Sequence, residues 1–441
     1  MQRVCLALPT MRACPGTIVD LAEEAAYAVA TFGAEVHLLV LDTTGEAEFA
    51  KNADAVASLA PTPGVFVHHL GDAQQRDWLR RVAEGSGAAD PELLLDLMLP
   101  KGVAYGSCVN RLFLGAAALD CTSVHLRNDD FEYQVRDGEK LYPIHPELLS
   151  IGRPAGQAVA GVTRSELDPA DADKRVMVVS GAFLGELNVD IGEIRELDPQ
   201  VYHDLVRLWT PPAWSDEDRD AMVELSFKGV GAEPFDTDES ILGVPDIWKV
   251  YMCNVALDHR AYEKLPLLPS LDTLGCDYAL LHALVHSKSP GVVHNRHIVN
   301  YYTPERKVGT GFVNYQLRYV KLLLSMLYLY PVYGAMWDAG SELLDDKHEL
   351  KVETILGMVR DTFGADRSGN EHCLDEVDRA YRTLGGKYAE LADVVAERRQ
   401  QLLDEAQQDA ELWATLIEAW APMAAAARTQ GLHPAVDGAA R

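Results

Sequence analysis

Short apolar runs alternate with longer amphipathic stretches over the first 130 residues. Residues 3–9 (RVCLALP), 35–42 (EVHLLVLD) and 64–69 (GVFVHH) are apolar runs of strand length. Between them, 16–32 and 46–59 repeat apolar residues at helical intervals, the first ending before Gly33. A Leu-rich segment at 91–99 and a helix of small and apolar residues at 107–119 lead into a fourth strand, 121–127 (CTSVHLR). Strands that alternate with helices predict an α/β fold with a mostly parallel sheet covered by helices on both faces.

The pattern changes after residue 130. Residues 131–144 predict a hairpin turning at Asp137-Gly138. A strand at 174–182 runs into a Gly-containing loop, helices follow at 200–209 and 216–227, a helix at 271–288 is opened by Asp272, and 291–302 is extended. From 311 to 430 nearly every segment is helical, including a charged stretch at 374–410, and 431–441 reads as a frayed tail. These shifts divide the chain into 1–135, 136–310 and 311–441.

Composition removes several function classes. With 39 Lys and Arg against 67 Asp and Glu, the net charge is −28, which disfavours nucleic acid and anionic membranes as partners. The most apolar stretch, 319–333, contains Lys321 and Pro331 and is too short to span a bilayer, so it predicts a buried helix. Seven scattered cysteines form no C-x-x-C pair, which fits a reducing cytoplasm.

The strongest candidate chemistry lies after the fourth strand, at Asn128-Asp129-Asp130. The carboxyl edge of an open α/β sheet is where ligands bind, and adjacent carboxylates there repel unless a cation such as Mn2+ or Mg2+ lies between them. The bland alternative is a polar turn. Asp277 stands near a helix start, where it either caps the helix or serves as a general base. His294 and His297 follow an apolar run and could complete a metal site, while Arg296 and Lys288 are candidates for neutralising a diphosphate. His282 and His286 form an i, i+4 pair better read as packing, since HALVH lacks the Glu of H-E-x-x-H. Pro9, Thr10 and Arg12 close the first strand and Asp42 the second; Asp42 either contacts a base or ribose or caps a turn. No G-x-G-x-x-G follows the first strand, and neither a P-loop nor a G-x-S-x-G elbow is present.

Taken in order, these pieces resemble the GT-A-fold glycosyltransferases over about residues 3–300. Pro9-Thr10 with Arg12 resembles that family's Pro-Thr-Arg segment, and Asp42 its base-reading acid. Gly106 with Asn110-Arg111 is similar to the helix before the acidic motif. Asn128-Asp129-Asp130 stands where the family has D-x-D, with Asn in the first position. The segment from Gly181 to Gly185 resembles its Gly-rich loop, Gly275-Cys276-Asp277 its acceptor-side helix start, and His294 or His297 its late metal-binding histidine.

The resemblance implies a divalent-metal-dependent transferase that moves a sugar from a nucleotide-diphospho-sugar to a small-molecule acceptor. Asp130, Asp129 and a late histidine would hold the metal, Thr10 and Asp42 would face the nucleoside, and Arg12, Arg111 or Arg296 would assist with the anion. Asp277 would act on the acceptor hydroxyl or amine. The helices after 311 match no pattern of the family and would cover the cleft or form a homodimer. The alternatives are a nucleotidyltransferase-like enzyme and a non-catalytic scaffold with an acidic helical tail.

Overall fold

The structure, a computed structural model, describes residues 2–185, 187, 189–211, 213–231, 235–300 and 304–433. Its strands in chain order are β1 (Arg3–Thr10), β2 (Glu35–Asp42), β3 (Val65–Leu70), β4 (Ser123–Arg127), β5 (Phe131–Tyr133), β6 (Val135–Arg136), β7 (Glu139–Lys140), β8 (Arg164–Ser165), β9 (Val178–Gly185), β10 (Ser240–Gly243), β11 (Asn254–Asp258) and β12 (Gly291–Asn300). One sheet has the order β3-β2-β1-β4-β11-β9-β12-β10-β8, with β5 paired to the end of β12. β1 is parallel to β2 and β4, and β9 to β12, while β11 runs antiparallel to both β4 and β9. The carboxyl ends of β1, β2, β4, β9 and β12 therefore share one edge with the start of β11.

The apolar runs are continuous because both faces of the sheet are covered. Val4, Leu6 and Leu8 of β1 pack with Val36, Leu38 and Val40 of β2 beneath the Pro15–Phe32 helix. Their neighbours Cys5, Ala7, Leu39 and Leu41 face the opposite core, with the Asp72–Gly85 and Tyr105–Ala118 helices. The C-terminal helices Gly309–Ala339, Val352–Arg360, Ser368–Leu384, Gly386–Glu397 and Arg399–Gln430 close that second core. Trp413 Nε1 donates to the Pro266 carbonyl at 3.0 Å and Trp420 Nε1 to that of Tyr262 at 2.8 Å. The apolar stripes of these helices thus pack into the chain's own core, against one another and the helices that cover the sheet. No helix among the described residues is long and apolar enough to cross a membrane.

The expected α/β architecture is present, with three local differences. Only Val135–Arg136 and Glu139–Lys140 form the hairpin, turning at Asp137 and Gly138 with φ of +52° and +84°, while Phe131–Tyr133 pairs with β12 instead. The Gly181–Gly185 segment is strand, not loop, because β12 pairs along it up to Gly185. The helix expected at 271–288 begins only at Ala279: positive φ at Asp272 (+49°) and Gly275 (+70°) breaks any earlier helical path. Residues 301 and 302 of the extended segment and 434–441 of the tail lie outside the described residues.

Candidate functional site

The chain runs outward from β1 through β2 to β3, then returns to place β4 on the other side of β1. Such a reversal opens a crevice at the carboxyl ends of the two strands that flank it. Thr10 and Arg12 follow β1 into this crevice, and Asn128-Asp129-Asp130 follow β4.

A buried ionic network fixes where β4 ends. Arg127, fully buried, contacts Glu24 at 2.9 and 3.2 Å and Glu147 at 3.0 and 3.1 Å. His125 Nδ1 lies 2.7 Å from Glu147, and the Tyr133 hydroxyl donates to Glu24 at 2.5 Å. Burial alone would raise the Glu147 pKa, but Arg127 and His125 hold it at about 2.

The next three residues turn into the crevice. Thr10 Oγ1 lies 2.7 Å from Asp129 Oδ2, and Arg12 Nε lies 3.3 Å from Oδ1. Asp130 accepts from Arg306 at 3.0 Å and from Asn128 at 3.4 Å. Burial, reinforced by Asp130, raises the Asp129 pKa against the lowering effect of Arg12 and Thr10. Two adjacent carboxylates are therefore held apart by two guanidinium groups.

Asp277 forms the facing wall. It is deeply set yet not sealed from solvent. Burial raises its pKa to about 6, with only its own backbone N–H opposing. Its charge reaches Tyr105 and Cys253, and the Tyr105 hydroxyl bridges to Cys253 Sγ at 3.3 Å and Asn128 Oδ1 at 3.5 Å. Tyr105 thus contacts the acidic triplet through Asn128, while the charge of Asp277 helps raise the Tyr105 pKa. The loop carrying Asp277 is fixed at several points. Asn110 exchanges two hydrogen bonds with the Leu267 backbone (2.8 and 2.9 Å), and buried Lys321 donates to the Leu271 carbonyl at 2.7 Å. A Cβ on Gly106 would run into the Leu268 carbonyl.

Several expected site residues do other work. Asp42 reaches the predicted edge but is fully buried: Thr44 N, Asn52 Nδ2 and His69 Nε2 bond its oxygens at 2.9, 2.9 and 3.0 Å. Pro9 is buried within β1 beside Leu41. Asn110 and Arg111 are buried, and Arg111 Nη1 donates to the Met98 carbonyl at 2.6 Å. Arg296 is paired with Asp238 at 2.7 and 2.9 Å. Lys288 lies just before the start of β12, at the opposite edge of the sheet.

The histidines do not join the acids. Among the described residues, no group of three or more His, Cys, Asp or Glu is placed to hold a metal ion. His294 is paired with Gly181 in mid-sheet, and His297 Nδ1 accepts from Ala182 N at 3.0 Å. The strand does arrive at the acids, but with Asn300, which pairs with Phe131. At about 3.3 Å per residue, His297 sits roughly 10 Å and His294 roughly 20 Å too early along the strand. His282 and His286 contact one another at 3.0 Å, and His282 stacks on Tyr333, as packing predicts.

The remaining donors still suit a divalent cation. Mg2+ and Mn2+ take oxygen ligands, and Mg2+ typically needs only one or two carboxylates, completing its shell with water and substrate phosphate. Asp129, Asp130 and the Asn128 side-chain carbonyl offer oxygen donors of that kind, and here Arg12 and Arg306 occupy the two carboxylates. Tyr105 and Arg306 belong to this site and were not singled out from the sequence. Tyr105 adjoins Gly106 at the start of a recognised helix, but nothing local marks Arg306.

The fold is similar to a mannosyltransferase from Pyrobaculum calidifontis in complex with GDP-Man and Mn2+, at 11% identity, covering 98% of this chain and 87% of that one, with a TM-score of 0.35. It is similar to glucosyl-3-phosphoglycerate synthase from Mycobacterium tuberculosis in complex with Mn2+, UDP and phosphoglyceric acid, at 14% identity, 74% and 78% coverage and a TM-score of 0.35. A mycobacterial protein matches at 13% identity, 74% coverage of each chain and a TM-score of 0.33. No curated protein matches the sequence. Residues 2–436 match the model of the family of unknown function DUF6271, and the chain belongs to that family.

Proposed function

We propose that this chain transfers a sugar from a nucleotide-diphospho-sugar to a hydroxyl or amine of a small-molecule acceptor. The observation that carries this reading is Asp277: a deeply set carboxylate with its pKa lifted to about 6, close enough for its charge to act on Tyr105, whose hydroxyl contacts Asn128 of the acidic triplet. A base is most effective when its pKa lies near the working pH. Asp277 would take the proton from the acceptor as the acceptor atom bonds to the anomeric carbon and the bond to the diphosphate breaks.

Asp129, Asp130 and Asn128 would hold a divalent cation, whose chemistry is to neutralise the charge that develops on the departing diphosphate. Arg12, released from Asp129, would contact the same phosphates through its forked donors. Thr10 positions Asp129, and Tyr105 orients the Asn128 side chain. The acidic balance of the whole chain is compatible with an anionic donor under this scheme, because the cleft carries its own cations.

Calorimetry with uridine and guanosine diphosphates, each with and without Mn2+, tests the reading. Metal-dependent binding of either nucleotide is expected. No binding under any condition would favour the non-catalytic scaffold.

A further inference from the structure

Arg318 carries an unpaired buried donor beside the loop that leads to Asp277. It lies on the Gly309–Ala339 helix, three residues after Tyr315, and its side chain is mostly buried. Its Nε is sealed from solvent and has no hydrogen-bond acceptor. The carboxylate beside it, Asp272 Oδ1, stands 3.7 Å away, is largely exposed, and already accepts from Val103 N at 3.3 Å. A buried donor without an acceptor is costly and calls for an explanation. An incoming acceptor group supplies one.

The surroundings say where that group would lie. Arg306 stands with its guanidinium 5.4 Å from the Tyr315 ring centroid and reaches Asp130 on the far side. Asp272, beside Arg318, begins the short segment that ends at Asp277. Gly275 of that segment packs against Leu322, one helical turn beyond Arg318. Arg318 thus adjoins the loop that carries Asp277, through Asp272, whereas Arg12 is on the β1 side with Asp129. Burial lowers the pKa of Arg318 and Arg306 adds to the effect, while Asp272 and Tyr315 oppose it. Two guanidinium groups therefore flank Tyr315, Arg306 held by Asp130 at 3.0 Å and Arg318 only loosely by Asp272 at 3.7 Å.

We propose that the acceptor carries an anionic group, a carboxylate or a phosphate, and that Arg318 seats it next to Asp277. This rests on the transfer reading above. A planar guanidinium fork matches either anion, and anchoring it would fix the acceptor's reactive hydroxyl or amine relative to the base.

The test uses the full chain and two probes, inorganic phosphate and glycerate, titrated by calorimetry against wild type, Arg318→Gln and Asp272→Asn. Wild type should bind at least one probe, and the tighter of the two identifies the anion. Arg318→Gln, with an unchanged circular dichroism spectrum, should weaken that binding at least tenfold. Asp272→Asn removes the competing carboxylate and should tighten it severalfold, which keeps the test open if Arg318→Gln fails to fold. Failure of wild type to bind either probe, equal binding by Arg318→Gln, or unchanged or weaker binding by Asp272→Asn would overturn the proposal. Arg318-dependent anion binding in a chain that binds no nucleoside diphosphate would instead remove the transfer reading, and with it the acceptor role. The two failures are therefore distinguishable.

Discussion

Asp277→Asn should make the protein more stable at neutral pH while removing its turnover. Burial lifts the Asp277 pKa from 3.8 to about 6 in the folded chain. The folded state therefore binds this proton more tightly than the unfolded state. The group favours folding at low pH, and its contribution falls as pH rises from about 4 to about 6. Above pH 6 the carboxylate is ionised in both states and its desolvation opposes folding. A shift of about two pKa units at 1.4 kcal/mol each gives a cost of about 3 kcal/mol at pH 7.5. Asparagine keeps the shape without the charge. Thermal unfolding of wild type and variant across pH 4 to 8 should show curves that coincide near pH 4 and diverge up to pH 6. The variant should then lead by a few degrees. A variant equal to or less stable than wild type at pH 7.5 would refute the argument, because the carboxylate would then be solvated or partnered. Stabilisation coupled to loss of turnover is expected where a site holds a charge in an unfavourable place for function.

Arg127→Met should cost about 3–5 kcal/mol in urea denaturation, because it leaves the Glu24 and Glu147 carboxylates buried without their cation. Glu147, held at about 2, contributes stability that is complete above its unfolded pKa near 4.5 and lost as pH falls through 2. Glu147→Gln should flatten the acid limb of the stability profile in that window. Asn110→Ala removes two buried hydrogen bonds to Leu267 and should cost about 2 kcal/mol; turnover should fall as the loop carrying Asp277 loosens, while donor affinity stays near wild type. Asp130→Ala should keep the fold by circular dichroism and abolish metal-dependent turnover; full activity with an unchanged response to chelator would contradict the role given to Asp130.

The sheet was legible because its strands are buried on both faces. Val4 to Thr10 and Val36 to Asp42 are buried without a break, so apolar runs of strand length stand out against the amphipathic helices. The antiparallel strand β11 was not picked out: Asn254–Asp258 is only five residues and begins and ends in polar side chains. The acid triplet does follow a strand and Asp277 does precede a helix start, as the local pattern implies. The partners of those acids were not readable from it. Asp42 looked free because Asn52 and His69, which occupy it, come from later elements. His297 looked like a ligand because strand register, not spacing from an apolar run, decides which residue meets Asp130. Arg306, in the turn after β12, meets Asp130, and Arg318, on the Gly309–Ala339 helix, meets Asp272; both are long-range contacts that no local pattern encodes.

The most direct test of the central claim compares donor binding with donor turnover in Asp277→Asn. A panel of UDP- and GDP-sugars with Mn2+, assayed for release of nucleoside diphosphate, would identify the donor with the wild-type chain. The account predicts that Asp277→Asn binds that donor within a few-fold of wild type and turns it over at least about 100-fold more slowly, the lower end of what a general base contributes. Collapse of donor binding with normal turnover of the bound fraction would contradict it.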